Sequence, residues 1–165
     1  MDFVSIVMGS KSDFEVMSEC VEVLKKFDVP YEVLISSAHR SPDRTKEYIK
    51  DASIRGAQVF IGAAGMAAHL AGAIVSQTTK PVIGVPLMSG ALDGLDALLS
   101  TVQMPSGMPV ATVSIGKAGA INAAYLAMQI LSLNNEELAG KLLEDRVMKA
   151  KKVELDSQEI EVRVK

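Results

Sequence analysis

The sequence predicts a three-layer α/β fold in which helices cover both faces of a doubly wound parallel sheet of five strands. Short apolar runs of strand length alternate with longer segments whose apolar residues recur at helical spacing. The runs are almost continuously apolar, as is typical of strands buried on both faces. With 165 residues, the chain is long enough for one domain around one core.

The predicted strands are apolar runs that end at turn residues, such as FVSIVM before Gly9. They lie at 3–8, 31–36, 58–63, 81–85 and 109–115. Five parallel strands joined by helices favour the flavodoxin-like strand order 2-1-3-4-5.

A helix is predicted after each strand. In the first, Met17, Val21 and Leu24 recur at helical spacing, and Pro30 stops the pattern. The helices lie at 13–27, 42–55, 67–77, 93–103 and 118–133, and an extra C-terminal helix lies at about 136–151. The stretch 153–165 alternates charged and apolar residues, so it is interpreted as a tail or an added edge strand.

Composition excludes several classes of protein. The net charge of -3 and the pI near 5.4 argue against binding to nucleic acid or an anionic membrane, which needs a basic surface. Lys149, Lys151 and Lys152 are interpreted as a solvated helix end. A single cysteine excludes an intramolecular disulfide and a cysteine-based zinc site, and Cys20 is expected to be a buried thiol.

The N-terminal stretch MDFVSIVMGS has no basic segment and no long apolar run. It therefore predicts neither a signal peptide nor a membrane span. We expect a cytoplasmic protein in a reducing setting.

Ligands of open α/β sheets bind at the carboxyl ends of the strands, next to the switch in strand order. In the order 2-1-3, the loops after the first three strands lie side by side. These three loops are therefore the predicted site.

The first loop, Gly9-Ser10-Lys11-Ser12-Asp13, combines small residues and hydroxyls directly before a helix. Free N–H groups and serine hydroxyls suit a phosphate or a sugar, and Asp13 suits ribose hydroxyls. The same residues are also typical of an ordinary helix cap. The glycine spacing and the Lys-Ser/Thr ending of a Walker loop are missing.

Both histidines of the chain fall in the next two loops. His39 precedes Arg40 in the second loop, and His69 lies in the third, AAGMAAHL. Imidazole suits proton transfer at neutral pH, and a guanidinium suits phosphate or carboxylate. The alternatives are an exposed loop histidine, a surface ion pair between Arg40 and Asp43, and a core or contact role for His69.

The loops after the fourth and fifth strands are rich in Gly and Pro, which predicts rigid turns. Their methionines, Met88, Met104 and Met108, suit either a polarisable wall against a planar ring or core packing. Two histidines without a carboxylate cluster predict no metal site, and no Ser-His-Asp nucleophile elbow is present.

Five segments carry a family resemblance: MGSKSD at 8–13, SAHR at 37–40, AAHL at 67–70, QMPSGMPV at 103–110 and IGKAGA at 115–120. Together they resemble the PurE family of N5-carboxyaminoimidazole ribonucleotide mutases. Each segment alone is weak evidence for the family, but the five segments in this order are highly specific for it. The Arg after His39 and the pair His69-Leu70 resemble the mutase class rather than the carboxylases that take free carbon dioxide. Phe14 stands where Trp is common, and Met66 where a small residue is common.

The resemblance implies a single catalytic domain over 1–165, with a core at about 1–133 and a C-terminal helix and tail at 134–165. It implies conversion of N5-carboxyaminoimidazole ribonucleotide to 4-carboxy-5-aminoimidazole ribonucleotide in purine biosynthesis, by decarboxylation and recarboxylation. The enzyme would be a homo-octamer that acts on a small-molecule nucleotide without a metal or an organic cofactor.

The resemblance also implies roles for site residues. His39 would be the general acid and base, and Ser10, Asp13 and Arg40 would bind the ribose phosphate. The other expected substrate-binding residues are Gly9, Ser12, Ser37, Ala38, Gly65, Ala67, His69 and Leu70.

Two rival functions stay open, namely direct carboxylation of aminoimidazole ribonucleotide by carbon dioxide and non-catalytic nucleotide binding on a flavodoxin-like fold. A flavin site would need aromatic residues beyond Phe14 in these loops. A receiver domain would need an aspartate where Ala63 and Ala64 stand, and Lys117 is its only matching feature.

Overall fold

The five strands form one all-parallel sheet in the order β2-β1-β3-β4-β5, and the computed structural model describes residues 2–164. The strands are β1 (Phe3–Met8), β2 (Tyr31–Ile35), β3 (Ala57–Gly65), β4 (Val82–Leu87) and β5 (Ala111–Thr112). β1 pairs with β2 on one edge and with β3 on the other, so the strand order reverses at β1. The predicted fold class and strand order are confirmed.

The helices cover both faces of the sheet. They are α1 (Phe14–Lys26), α2 (Pro42–Arg55), α3 (Leu70–Val75), α4 (Leu95–Val102), α5 (Lys117–Ser132) and α6 (Glu136–Ile160). Short 3-10 turns at Lys11–Asp13 and Gly90–Leu92 were not predicted. Both lie in the loops at the carboxyl edge of the sheet.

Alternating side chains of β1 supply two separate cores. Val4 and Ile6 face α1, α5 and the start of α6, whereas Phe3 and Val7 face α2 and α3. Every residue of β1 is buried, which explains why its sequence is almost continuously apolar. The one polar residue of β1, Ser5, forms a hydrogen bond with the Tyr48 hydroxyl at 2.9 Å.

The third strand and third helix differ from their predicted bounds. β3 extends through Ala64 to Gly65, and α3 begins only at Leu70. Between them Met66 adopts a left-handed backbone with φ 56°, and the Ala68 N–H donates to the Met66 carbonyl at 2.8 Å. This turn interrupts the helical pattern that the sequence alone suggests.

The fifth strand, predicted over 109–115, is only two residues long. Pro109 has no N–H to donate to a neighbouring strand. The Val113 N–H still reaches the Gly84 carbonyl at 3.0 Å, but Gly116, with φ 74°, then turns the chain into α5. The sheet therefore has a short strand at this edge.

The interpretation of the C-terminal stretch as a tail or an edge strand is wrong for 153–160, because α6 continues to Ile160. This stretch contains neither Gly nor Pro, and Lys152 pairs with Asp156 one turn later at 3.0 Å, which favours a helix. The predicted extra C-terminal helix is confirmed. The outermost residues of the expected domain, Met1 and Lys165, lie outside the described residues.

The carboxylate of Asp145 ties helix α6 to the body of the protein, in addition to the buried side chain of Leu138. Asp145, whose side chain is 9% exposed, accepts from Lys26 at 2.6 Å, from Lys149 at 2.8 Å and from the Tyr125 hydroxyl at 2.8 Å. Burial opposes ionisation, but these donors hold the pKa of Asp145 well below its usual range. The ion pair with Lys26 therefore anchors α6 to α1, and the hydrogen bond from Tyr125 anchors it to α5.

Cys20 is buried on α1, as expected, and burial raises the pKa of its thiol to about 12. Such a thiol is a packing residue rather than a nucleophile. None of the described helices is both long and apolar enough to span a membrane.

Gly119 lets α5 pack directly against the chain that precedes it. A Cβ at this position would lie 1.6 Å from the Ser114 carbonyl oxygen, a backbone atom that cannot rotate away. Gly140, in α6, is a matched contrast, because a Cβ there would meet no atom within 4 Å.

We expect Gly119→Ala to lower the free energy of unfolding by about 2 kcal/mol or more, because the clash outweighs the gain in helix propensity. Gly140→Ala should instead raise that free energy by about 1 kcal/mol, since only propensity changes. Urea unfolding of both variants measures the difference. Equal effects of the two substitutions would contradict the packing argument.

Candidate active site

A cavity of about 500 Å³ opens at the carboxyl ends of β1, β2 and β3, next to the reversal in strand order. This volume is in the range of small-molecule sites. All twelve residues predicted from the sequence line it: Gly9, Ser10, Ser12, Asp13, Ser37, Ala38, His39, Arg40, Gly65, Ala67, His69 and Leu70. Their chemical roles stay predictions.

Backbone hydrogen bonds extend the sheet into the loops and hold them side by side. The Gly9 N–H donates to the Ala63 carbonyl at 3.2 Å, and the Ser36 N–H donates to the Met8 carbonyl at 2.8 Å. The start of each loop is therefore fixed to the neighbouring strand, so the cavity is largely preformed.

The first loop folds around Asp13. The Ser10 N–H donates to Asp13 Oδ2 at 2.9 Å, and the hydroxyls of Ser10 and Ser12 are 2.6 Å apart. Asp13 thus caps its own turn, as the alternative interpretation of this loop held, and it also lines the cavity. Burial raises the pKa of the Asp13 carboxyl, although hydrogen bonds from Ser10 and the charge of Arg40 oppose the shift.

Arg40 reaches from the second loop to the first. Its side-chain Nη2 donates to the Gly9 carbonyl at 3.2 Å, and its backbone N–H donates to Ser37 Oγ at 3.2 Å. The guanidinium therefore lies over the cavity instead of pairing with Asp43, which was the surface alternative. It is exposed at the mouth, where a phosphate or carboxylate can reach it.

A serine and threonine network fixes the base of the second loop. The Ser37 N–H donates to Ser41 Oγ at 2.9 Å, and the buried hydroxyls of Ser36 and Thr45 are 2.7 Å apart. Pro42 then occupies the first turn of α2, where its missing N–H costs little. This loop is rigid at both ends, so the position of His39 is well defined.

The two histidines lie next to each other in the lining of the cavity. The rings of His39 and His69 are stacked, with centroids 5.8 Å apart and planes 30° apart. Both side chains are exposed, so packing in a core does not explain either position. Two groups able to carry a proton at neutral pH thus share one wall of the site.

Ser89, two residues after the end of β4, also lines the cavity, although no pattern in the sequence selected it. A Cβ on Gly65 would lie 2.2 Å from Ser89 Oγ, so the absence of a side chain at Gly65 makes room for this hydroxyl. Ala64 and Met66 complete the lining. Gly65 and Ser89 are far apart in sequence, so only the pairing of β3 with β4 brings them into contact.

Several residues considered from the sequence lie elsewhere. Met104 and Met108 pack against the core of α2 and α3, which was one of the two alternatives, and Met88 is exposed. None of the three lines the cavity. Lys117 pairs with Glu19 of α1 at 2.5 Å, which accounts for the feature that resembled a receiver domain. The segments 103–110 and 115–120 do not line the cavity of this chain.

The site therefore combines a cation, several hydroxyls and N–H groups, two imidazoles and a floor of small residues. Within residues 2–164, no three His, Cys, Asp or Glu side chains are placed to hold a metal ion together. The arrangement suits a phosphorylated ligand on one side and proton transfer on the other. A larger groove of about 1080 Å³ lies beside Lys50 and Pro81, but its lining includes neither histidine.

Comparisons with known proteins agree with this geometry. The family model described as AIR carboxylase matches residues 3–152. The N5-carboxyaminoimidazole ribonucleotide mutase of Bacillus subtilis is 57% identical over 87% of this chain and 88% of its own length. That of Methanocaldococcus jannaschii is 49% identical over 95% of this chain and 96% of its own. The crystal structure of Treponema denticola PurE superposes with a TM-score of 0.89 at 29% identity, covering 98% of this chain and 100% of that chain.

Asp13→Asn should change how stability depends on pH. Since folding raises the pKa of Asp13, this carboxyl stabilises the fold fully below the ordinary pKa of aspartate, and that contribution is lost as pH rises through the raised value. Asparagine keeps an acceptor for Ser10 but does not ionise. Relative to the parent protein, the variant should gain stability in urea unfolding as pH rises above the ordinary pKa of aspartate. A difference that does not vary with pH would contradict the assignment.

Proposed function

This chain belongs to the AIR carboxylase family, and we propose that it converts N5-carboxyaminoimidazole ribonucleotide to 4-carboxy-5-aminoimidazole ribonucleotide in purine biosynthesis. Relatives at 49–57% identity over most of the chain carry the name of this mutase, which supports the proposal. The observation that carries it is the pair of stacked imidazoles beside Arg40 in one cavity. The whole chain then acts as one catalytic domain.

The nucleotide would bind with its ribose phosphate toward the first two loops. Arg40 supplies a positive charge, and the hydroxyls of Ser10 and Ser12 and the free N–H groups of their turn supply donors. Asp13 accepts from ribose hydroxyls. This orientation directs the imidazole ring of the substrate toward the small residues of the third loop, beside the stacked pair of His39 and His69.

The reaction moves a carboxylate from nitrogen to carbon within one substrate. His39, as an imidazolium, gives a proton to the carbamate nitrogen while the C–N bond breaks and its electron pair goes to that nitrogen. Carbon dioxide is released beside the ring. The electron-rich ring carbon attacks it to form the C–C bond, and neutral His39 removes the proton from that carbon. Atoms and protons balance, and His39 returns to its starting state.

The small residues of the site support this two-step sequence. Ala38, Gly65 and Ala67 leave room for the ring and the freed molecule to stay in contact. Holding the two reactants together replaces a bimolecular encounter by one between oriented neighbours, which can lower the barrier by several kcal/mol. His69, whose ring is stacked against His39, positions the acid and base.

The runner-up is direct carboxylation of aminoimidazole ribonucleotide by carbon dioxide, which the description of the family model favours. The same His39 would remove the ring proton, but no carbamate would be cleaved. A purely nucleotide-binding module would need neither imidazole at the ring, so the stacked pair argues against it.

The test is an assay of N5-carboxyaminoimidazole ribonucleotide conversion without added bicarbonate, for the parent protein and for His39→Asn. We expect rapid formation of the C4-carboxylated product by the parent protein. His39→Asn should lose turnover by about 10²-fold or more, because the acid and base is gone. Binding of the nucleotide, measured by calorimetry, should change little, since Arg40 and the first loop remain.

The outcomes separate the three functions. Near-normal turnover by His39→Asn would contradict its assigned role. Carboxylation of aminoimidazole ribonucleotide only when bicarbonate is supplied would move the chain to the carboxylases. Binding of the nucleotide without turnover in either assay would favour the non-catalytic module.

We also propose that the protein assembles as a homo-octamer. One face of α4 presents Leu95, Leu99 and Val102 to solvent at helical spacing, and most of α6 beyond Lys149 is exposed. An apolar stripe of this kind usually packs against another surface. Light scattering should give the mass of an octamer, and a monomer-sized particle would contradict the assembly.

We propose a cytoplasmic location as well. The buried thiol of Cys20 is compatible with a reducing compartment. Fractionation of the cells that produce the protein tests this location.

A further inference from the structure

We propose that Met66 is the side chain that keeps the released carbon dioxide in the site, a role that rests on the proposed mutase function. Met66 directly follows β3 and lines the cavity that holds both histidines. It is therefore placed to act on an intermediate formed at the ring. Its assignment depends on its backbone, its exposure and its contacts.

The backbone of Met66 is strained. It has φ 56°, in the left-handed region, where a Cβ approaches the following carbonyl. Asp28 and Asp93 are the other non-glycine residues with positive φ within 2–164, and aspartate tolerates this region better than methionine does. Glycine would relieve the strain, so the strained methionine beside the site points to a contribution of its side chain.

Core packing does not account for that contribution, because Met66 is 59% exposed. Its side chain instead extends from the end of β3 to the turn after β4. Met66 Cγ and Cε lie 3.8 and 3.9 Å from the position that a Cβ on Gly90 would occupy. The thioether therefore bridges the two loops beside Ser89, at the rim of the cavity.

The chemistry of carbon dioxide explains what an apolar side chain can contribute at this rim. The molecule is small and uncharged, so an ion pair cannot hold it, and only physical obstruction limits its escape. Met66 and Leu70 are the two large apolar residues of the cavity lining, and Leu70 is buried in the floor. Met66 is thus the large apolar group at the solvent side, and its flexible thioether adapts to the ligand beneath it.

The obstruction acts between the two bond changes. When the C–N bond has broken and the proton has reached nitrogen, the freed carbon dioxide either meets the ring carbon or leaves for solvent. Met66 lowers the rate of leaving and takes no part in either bond. It is therefore a retention residue, and the fraction of carbon dioxide that is lost should report its role better than turnover does.

The experiment follows substrate labelled with ¹³C in its carboxylate, in unlabelled bicarbonate with carbonic anhydrase to exchange any carbon dioxide that escapes. Mass spectrometry gives the fraction of product that has lost the label. Met66→Gly should raise that fraction about fivefold, the ratio that corresponds to about 1 kcal/mol in the escape barrier. Met66→Asn, which suits a left-handed backbone, should do the same if the glycine variant folds poorly.

Two further variants are controls. Met66→Leu keeps apolar bulk at the same strained position and should retain the label as the parent protein does. Met88→Gly removes an equally exposed methionine just outside the lining and should not change the lost fraction.

The results separate this inference from the proposed function. Conversion with equal label loss in the parent protein, Met66→Gly and Met66→Asn would overturn the role of Met66 and leave the mutase in place. Failure of the parent protein to convert the substrate would overturn both.

Discussion

The pairing of β1 with β2 on one edge and β3 on the other is the constraint on which the site depends. It reverses the direction in which the sheet is wound, so no helix covers the gap between the ends of these strands. Hydrogen bonds from Gly9 to Ala63 and from Ser36 to Met8 carry the sheet register into the loops. The starts of the first two loops are therefore set by the hydrogen bonding of the sheet, which limits where His39 can lie.

Close approach between layers depends on missing side chains. A Cβ on Gly62 would lie 2.9 Å from Ile74 Cδ1 and 3.0 Å from the backbone of Ala71, so α3 rests almost directly on β3. This contact fixes the short helix whose first residue, Leu70, forms the floor of the cavity. With only 4% aromatic residues, the chain builds its cores mostly from aliphatic side chains, including many alanines, which permit such close contacts.

The sequence allowed the fold class, the strand order and the grouping of the three loops to be predicted, because each depends on local patterns and on general rules of parallel sheets. It did not reveal Ser89, whose place in the cavity depends on the register of β3 and β4. The left-handed turn at Met66 was also missed, since no local rule favours methionine there. The helix at 153–160 was misread because alternation of charged and apolar residues resembles a strand, whereas pairing of Lys152 with Asp156 one turn away stabilises a helix.

The distribution of the site along the chain has a consequence for how the protein is made. Every lining residue except Ser89 lies within 9–70, so the reactive groups are synthesised before β4 and β5. At that stage β3 has an open edge and α5 has not yet covered its sheet face, so these side chains are present without being arranged. The second half of the chain acts mainly as the scaffold that turns this early segment into a working pocket.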